Sequence, residues 1–204
     1  MYKTLVNYVR AALFTIVCLG ASANVMSNTV LILGDSLSAA YGIDPKLGWV
    51  ELLKPQLPNT NIINGSISGE TTSGGLKRLP NLLAKHKPTL VVVELGANDG
   101  LRGQPLSLLK SNLTAIVDLS QAIDAKVLLL EMHVPPNYGR RYSERFNQTF
   151  HTIAADKGVT VAPFFLANVS TKPELIQADG LHPKAEAQPI ILKNVLPHIK
   201  PLLD

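Results

Sequence analysis

Leu90-Val91-Val92-Val93-Glu94-Leu95 is the stretch on which the fold turns. A strand with one wet face alternates apolar and polar residues, whereas this run is apolar and β-branched almost without a break. It therefore predicts a central strand of a parallel sheet, covered by helices on both faces. Comparable runs are Val30-Leu31-Ile32-Leu33 and Lys126-Val127-Leu128-Leu129-Leu130-Glu131, with shorter candidates at Asn61-Ile62-Ile63-Asn64 and near Val159 to Ala162.

Helical patterns separate these runs. Gly48-Trp49-Val50-Glu51-Leu52-Leu53 opens a short helix that Pro55 and Pro58 end, with Trp49 expected in the core. A second helix is expected to run to about Lys85, capped by Thr71 or Thr72 and bent at Pro80, with Leu76, Leu79, Leu82 and Leu83 on one face. Others are expected from Pro105 to Ala122, from Ser143 to Lys157 and from Ala185 to Ile199. Strands alternating with helices predict a three-layer α/β/α domain, a flavodoxin-like doubly wound parallel sheet of about five strands.

The 204 residues suffice for one domain with a substantial core, here residues 24–204. Residues 1–23 have the layout of a cleaved signal peptide. Lys3 and Arg10 precede the apolar run Ala11 to Gly20, and the small residues Ala21-Ser22-Ala23 follow it. That run is shorter than a spanning helix needs. A periplasmic or secreted location is the expectation. The sole cysteine, Cys18, lies in this segment, so the mature chain is expected to carry no thiol. Without Lys3 and Arg10 the 19 basic residues fall to 17 against 15 acidic ones, too balanced for a nucleic-acid partner.

In a doubly wound sheet, ligands bind outside the carboxyl ends of the strands. Gly34-Asp35-Ser36-Leu37-Ser38 follows the first strand, Gly69 the second and Asn98 the third, while Asp179-Gly180-Leu181-His182-Pro183 precedes the last helix. A serine hydroxyl barely ionises at neutral pH. It becomes a nucleophile when an imidazole takes its proton and a carboxylate orients the imidazole. Asp179 and His182 can supply both, and Asn98, Gly69 and the Ser36 N–H, expected at a helix start, can serve a developing oxyanion. Each stretch taken singly is also ordinary turn chemistry, with Asp179 capping a turn and His182 packing beside Pro183. No other His, Asp or Glu pair has spacing that favours a metal site.

Taken together, the four ordered blocks resemble those of the SGNH, or GDSL, hydrolase superfamily. Glu94 to Gly103 and Pro135 to Tyr142 resemble, more narrowly, its exported bacterial acyl-CoA thioesterase, lysophospholipase and arylesterase group. The resemblance covers nearly the whole mature chain. It implies Ser36 as nucleophile, His182 as base and Asp179 as its orienter, with Ser36, Gly69 and Asn98 forming the oxyanion hole. It further implies a periplasmic or secreted enzyme without cofactor; small ester or thioester substrates with acyl or aryl groups, transient lipid contact and a monomer are the accompanying expectations. Ala97 departs from the second glycine of many relatives and leaves the Asn98 role intact.

Asp35 is expected to shape the turn. His133 is the rival base, and His86, His151 and His198 are expected to face solvent. Leu101, Val134, Pro135 and Tyr138 are expected to line an apolar acyl channel. Two other readings remain open from the residues: a carbohydrate O-acetyl esterase on the same fold, and a secreted binding protein without turnover.

Overall fold

The computed structural model describes residues 28–204. The expected signal segment, residues 1–23, lies outside the described residues. Five parallel strands, β1 (Asn28–Gly34), β2 (Thr60–Asn64), β3 (Leu90–Glu94), β4 (Lys126–Leu130) and β5 (Thr160–Ala162), form one sheet in the order β2-β1-β3-β4-β5. This is the flavodoxin-like order expected from the alternating pattern. The run that suggested it lies at the centre of the sheet, and every residue of β3 is buried.

Helices α1 (Trp49–Leu53) and α6 (Gln188–Ile199) pack on each other. Helices α2 (Thr72–His86), α4 (Leu106–Gln121) and α5 (Arg140–Lys157) form a second group, α4 lying between its neighbours. Their inner stripes close on the sheet: Leu79 and Leu83 from α2, Leu113 and Ile116 from α4, Phe146 and Phe150 from α5, Ile191 and Val195 from α6. Trp49 is fully buried, as expected.

Several boundaries differ from the sequence pattern. Ser36 is expected at a helix start, but residues 36–42 form consecutive turns, because Ala40 and Gly42 take left-handed φ values of 58° and 74° that break the helical path. A short helix, α3 (Ala97–Leu101), occupies what reads in sequence as a loop. Helix α5 begins three residues early, at Arg140, where Gly139 at φ 88° turns the chain out of the Pro136–Tyr138 3-10 turn.

Thr71 caps α2 by accepting from the Gly74 N–H at 3.3 Å, and α2 continues through Pro80 as one element. Pro80 is exposed and cannot donate to the carbonyl one turn earlier. An interior proline costs a helix about 3 kcal/mol, of which about 1 kcal/mol is offset by its stiffening of the unfolded chain. Pro80→Ala is accordingly expected to raise stability by about 2 kcal/mol, read from the midpoint of urea unfolding; an unchanged or lowered midpoint would show that the proline imposes no such cost here.

Candidate active site

The pairing of β1 with β3 ends at Gly34 opposite Glu94, and the chain turns there. Glu94 is fully buried, and its Oε2 accepts from the Asp35 N–H at 3.1 Å and from the Ser38 hydroxyl at 2.7 Å. A Cβ at position 34 would lie 2.8 Å from both Glu94 Oε2 and Ser66 Oγ, so the close approach leaves room only for glycine. Asp35, also buried, accepts from the Leu37 N–H at 3.0 Å through Oδ1 and from Asn98 Nδ2 at 2.9 Å through Oδ2. Asp35 thus shapes the turn, as expected, and also ties it to the residue one strand away.

Ser36, Asp179 and His182 come together. His182 Nε2 lies 2.9 Å from Ser36 Oγ, and His182 Nδ1 lies 2.6 Å from Asp179 Oδ2. The other Asp179 oxygen accepts from the N–H groups of Leu181, at 2.9 Å, and His182, at 3.0 Å. Gly180, at φ 74°, permits the tight bend between them. The result is a carboxylate, an imidazole and a hydroxyl in one hydrogen-bonded line, which is what proton transfer from a serine requires.

Of the three expected donors, Ser36 and Gly69 lie on the turns that follow β1 and β2, and Asn98 lies on α3, which follows β3. Asn98 Nδ2 spends one of its two hydrogens on Asp35 and keeps the second. The N–H groups of Ser36 and Gly69 donate to no protein acceptor among the described residues. Gly69 has φ 76° and its carbonyl accepts from Arg102 Nη2 at 2.9 Å. The loop that carries it is anchored by Arg78, which pairs with Glu70 at 2.7 Å and donates to the carbonyl of Gly65.

A cavity of about 500 Å³ opens beside this line, and Ser36, Asn98 and His182 are on its wall. Leu101, Val134 and Pro135 line it, joined by Met132, Phe164 and Leu166. Tyr138 does not: it is outside the lining, and its hydroxyl donates to the Leu101 carbonyl at 2.7 Å, where it props the wall from behind. His133, the rival base, also borders the cavity, but its Nε2 lies 2.7 Å from Glu131 and its ring stacks on Phe164 at 3.9 Å. His151 meets the other Glu131 oxygen at 3.1 Å, while His86 and His198 sit partly exposed on α2 and α6.

The carboxyls divide by environment. The backbone N–H groups of His182 and Leu181, together with the His182 ring, lower Asp179 to about 2, so it stays ionised beside the imidazole. Burial raises Asp35 to about 6. Burial, reinforced by the neighbouring Asp35 charge, pushes Glu94 well above the usual carboxyl range.

Residues 32–189 match the profile of the GDSL-like Lipase/Acylhydrolase family. The chain belongs to that family. Among similar members, it is 49% identical to Esterase TesA of Pseudomonas aeruginosa over 181 residues, covering 87% of this chain and 90% of the relative. It is 48% identical to an arylesterase of Vibrio mimicus, with 87% and 90% covered. Identity to Thioesterase 1/protease 1/lysophospholipase L1 of Escherichia coli is 42%, with 87% and 86% covered. A crystal structure of TesA superposes with a TM-score of 0.84 at 49% identity, covering 86% of this chain and 99% of that one. The psychrotrophic esterase EstA of a Pseudoalteromonas species, inhibited by monoethylphosphonate, gives 0.83 at 47%, covering 86% and 98%.

For this GDSL-like chain, sequence reasoning left Glu94 without a role. A single acid closing an otherwise apolar buried strand was the available signal. The group's effect on stability has a definite sign. A carboxyl whose folded pKa lies above its unfolded value stabilises below the unfolded pKa, and that stabilisation is lost as pH rises through the folded pKa. Glu94→Gln keeps an acceptor for Asp35 and Ser38 and removes the titration. Its stability relative to the parent is expected to rise with pH above about 4.5, by up to about 1.4 kcal/mol per unit. Urea unfolding of both proteins from pH 5 to 8 measures this, and parallel curves would mean that Glu94 is not held protonated.

Proposed function

We propose that this member of the GDSL-like lipase/acylhydrolase family is a serine hydrolase that cleaves carboxylic esters and thioesters through an acyl-enzyme on Ser36. The observation that carries the reading is the unbroken line from Asp179 through His182 to Ser36 Oγ, with contacts of 2.6 and 2.9 Å. The relatives named as esterase, arylesterase and thioesterase support the reaction class.

Ser36 Oγ attacks the substrate carbonyl while His182 Nε2 takes its proton, and Asp179 holds the imidazole by Nδ1 and stabilises its positive charge. The carbonyl oxygen becomes an oxyanion among the N–H groups of Ser36 and Gly69 and the second amide hydrogen of Asn98. As the C–O or C–S bond breaks, His182 returns the proton to the leaving alcohol or thiol. His182 then takes a proton from water, whose oxygen attacks the acyl-enzyme, and as the Ser36 Oγ–acyl bond breaks to release the carboxylic acid His182 returns the proton to Ser36 Oγ. The acyl portion lies in the cavity lined by Leu101, Val134 and Pro135.

Ser36→Ala is expected to lower kcat on an activated aryl ester by several orders of magnitude, and Asn98→Ala by about a hundred- to a thousand-fold. A fluorophosphonate should label the parent and not Ser36→Ala. Hydrolysis that survived Ser36→Ala would end the assignment. For the cavity, a chain-length series of p-nitrophenyl esters applied to Leu101→Asp should show activity falling more steeply for long acyl chains than for acetyl. Equal losses at all lengths would place the acyl chain elsewhere.

A further inference from the structure

Ser36 and His182 are 146 residues apart in sequence, and neither lies in a helix or a strand. The contact between Asp179 and His182 is made within one loop. The contact between His182 and Ser36 instead depends on how the turn 36–42 sits against the loop 176–184. Two links cross between them. The Tyr41 ring leans on the His182 imidazole with centroids 4.4 Å apart and planes tilted by 39°, but Tyr41 is 51% exposed and makes a soft support.

The second link is Gln177. Its Nε2 donates to the main-chain carbonyl of Tyr41 at 2.8 Å and to that of Pro183 at 3.0 Å. Its own N–H donates to the His182 carbonyl at 2.8 Å, and its carbonyl accepts from the Gly180 N–H at 3.0 Å. One residue therefore grips the chain at His182 and on both sides of it and, through the same amide nitrogen, holds the far end of the serine turn. The turn is shaped around this side chain, since Gly42 has φ 74° and a Cβ there would strike Gln177 Oε1.

A primary amide suits the position, because it offers two hydrogens in one plane to two carbonyls. A methionine of equal length offers none, and an ionised glutamate would turn oxygen toward oxygen. The antiparallel bridge between Ile176 and Pro183 and the bond from the Lys184 N–H to the Leu175 carbonyl, at 2.8 Å, hold the loop's own shape. They do not reach the serine turn, so Gln177 supplies the hydrogen-bonded crossing.

We propose that Gln177 is a positioning residue for acyl transfer, setting the separation between His182 Nε2 and Ser36 Oγ by tying the histidine loop to the serine turn. The inference rests on the reading of Ser36, His182 and Asp179 given above. Proton transfer depends steeply on the separation of the two heavy atoms, and a displacement of about 1 Å originating outside the reacting groups can cost about a hundredfold.

Kinetics on an activated aryl ester test this with purified Gln177→Met and Gln177→Glu. For Gln177→Met, kcat should fall about 10- to 100-fold while KM stays within about threefold, and the rate of fluorophosphonate labelling should fall in proportion to kcat. Gln177→Glu should lose more, through repulsion of the two carbonyls. In a His182→Ala background, Gln177→Met should alter the residual rate by less than about twofold, because the contact it sets is already absent. A parent-like kcat in Gln177→Met, or an equal loss in both backgrounds, would overturn the proposal. If Gln177→Met lacks the circular dichroism of the folded parent, Gln177→Asn, which keeps the amide one methylene short, is read by the same criteria. Equal hydrolysis by the parent and His182→Ala would overturn the triad reading, and the positioning role with it.

Discussion

The parallel pairing of β1 with β3 is the constraint from which the rest of the molecule follows. It joins the two central strands of the sheet at the point where successive connections leave in opposite directions, so the turns beyond Gly34 and Glu94 splay apart and open a crevice. Ser36 lies two residues past one strand end and Asn98 four past the other. The bond from Asn98 to Asp35 then closes the gap between them at 2.9 Å. The hydroxyl and the amide are thus referenced to one rigid pair of strands rather than to two independent loops.

The same region concentrates electrostatic strain. Glu94 and Asp35 are two acids withdrawn from water under one turn, an arrangement that a protein assembled for stability alone would replace with apolar side chains. What they supply is acceptors in fixed places: one Glu94 oxygen serves the Asp35 N–H and the Ser38 hydroxyl, and the Asp35 carboxyl serves Leu37 and Asn98. Asp179 shows the opposite solution. It sits at the surface, where two backbone N–H groups hold its charge, and it can remain an anion beside the imidazole without being buried. Acids of similar intrinsic strength are thereby shifted in opposite directions, Glu94 and Asp35 upward by burial and Asp179 downward by its hydrogen bonds.

What could be read from the chain follows from how local each signal is. The strands were legible because an unbroken apolar run such as Leu90 to Val93 has no stable place except a doubly covered sheet. Asp179 and His182 were legible as a pair because three residues on one tight loop bring them together, and the family blocks supplied the partner. No helix starts at Ser36, although the sequence suggested one, because the left-handed φ of Ala40 that turns the chain there is imposed by surroundings, not by alanine itself. Tyr138 was misplaced for a similar reason: an apolar ring beside the crevice suggested a lining, and only the geometry reveals its bond to Leu101. Gln177 left no local mark, since its role consists of a contact with Tyr41 across 136 residues.

The distribution of the lining gives the architecture a further logic. The groups proposed for bond making come from the turns after β1 and β2, from α3 after β3 and from the loop before α6, whereas Met132, Val134 and Pro135 follow β4 and Phe164 and Leu166 follow β5. The crevice is therefore divided along the sheet, with its chemistry toward one edge and its apolar volume toward the other. The β1 end that leads into Ser36 is held by its pairing with β3 and by Glu94, not by the side chains after β4 and β5. Leu101 is the exception to that division. It lies on α3, three residues after Asn98 and two after Asp99, and Asp99 accepts from the Thr72 N–H at 2.9 Å at the start of α2. A change at Leu101 therefore acts on the acyl wall and on the helix that carries the oxyanion amide, so substrate fit and chemistry are mechanically joined at this position.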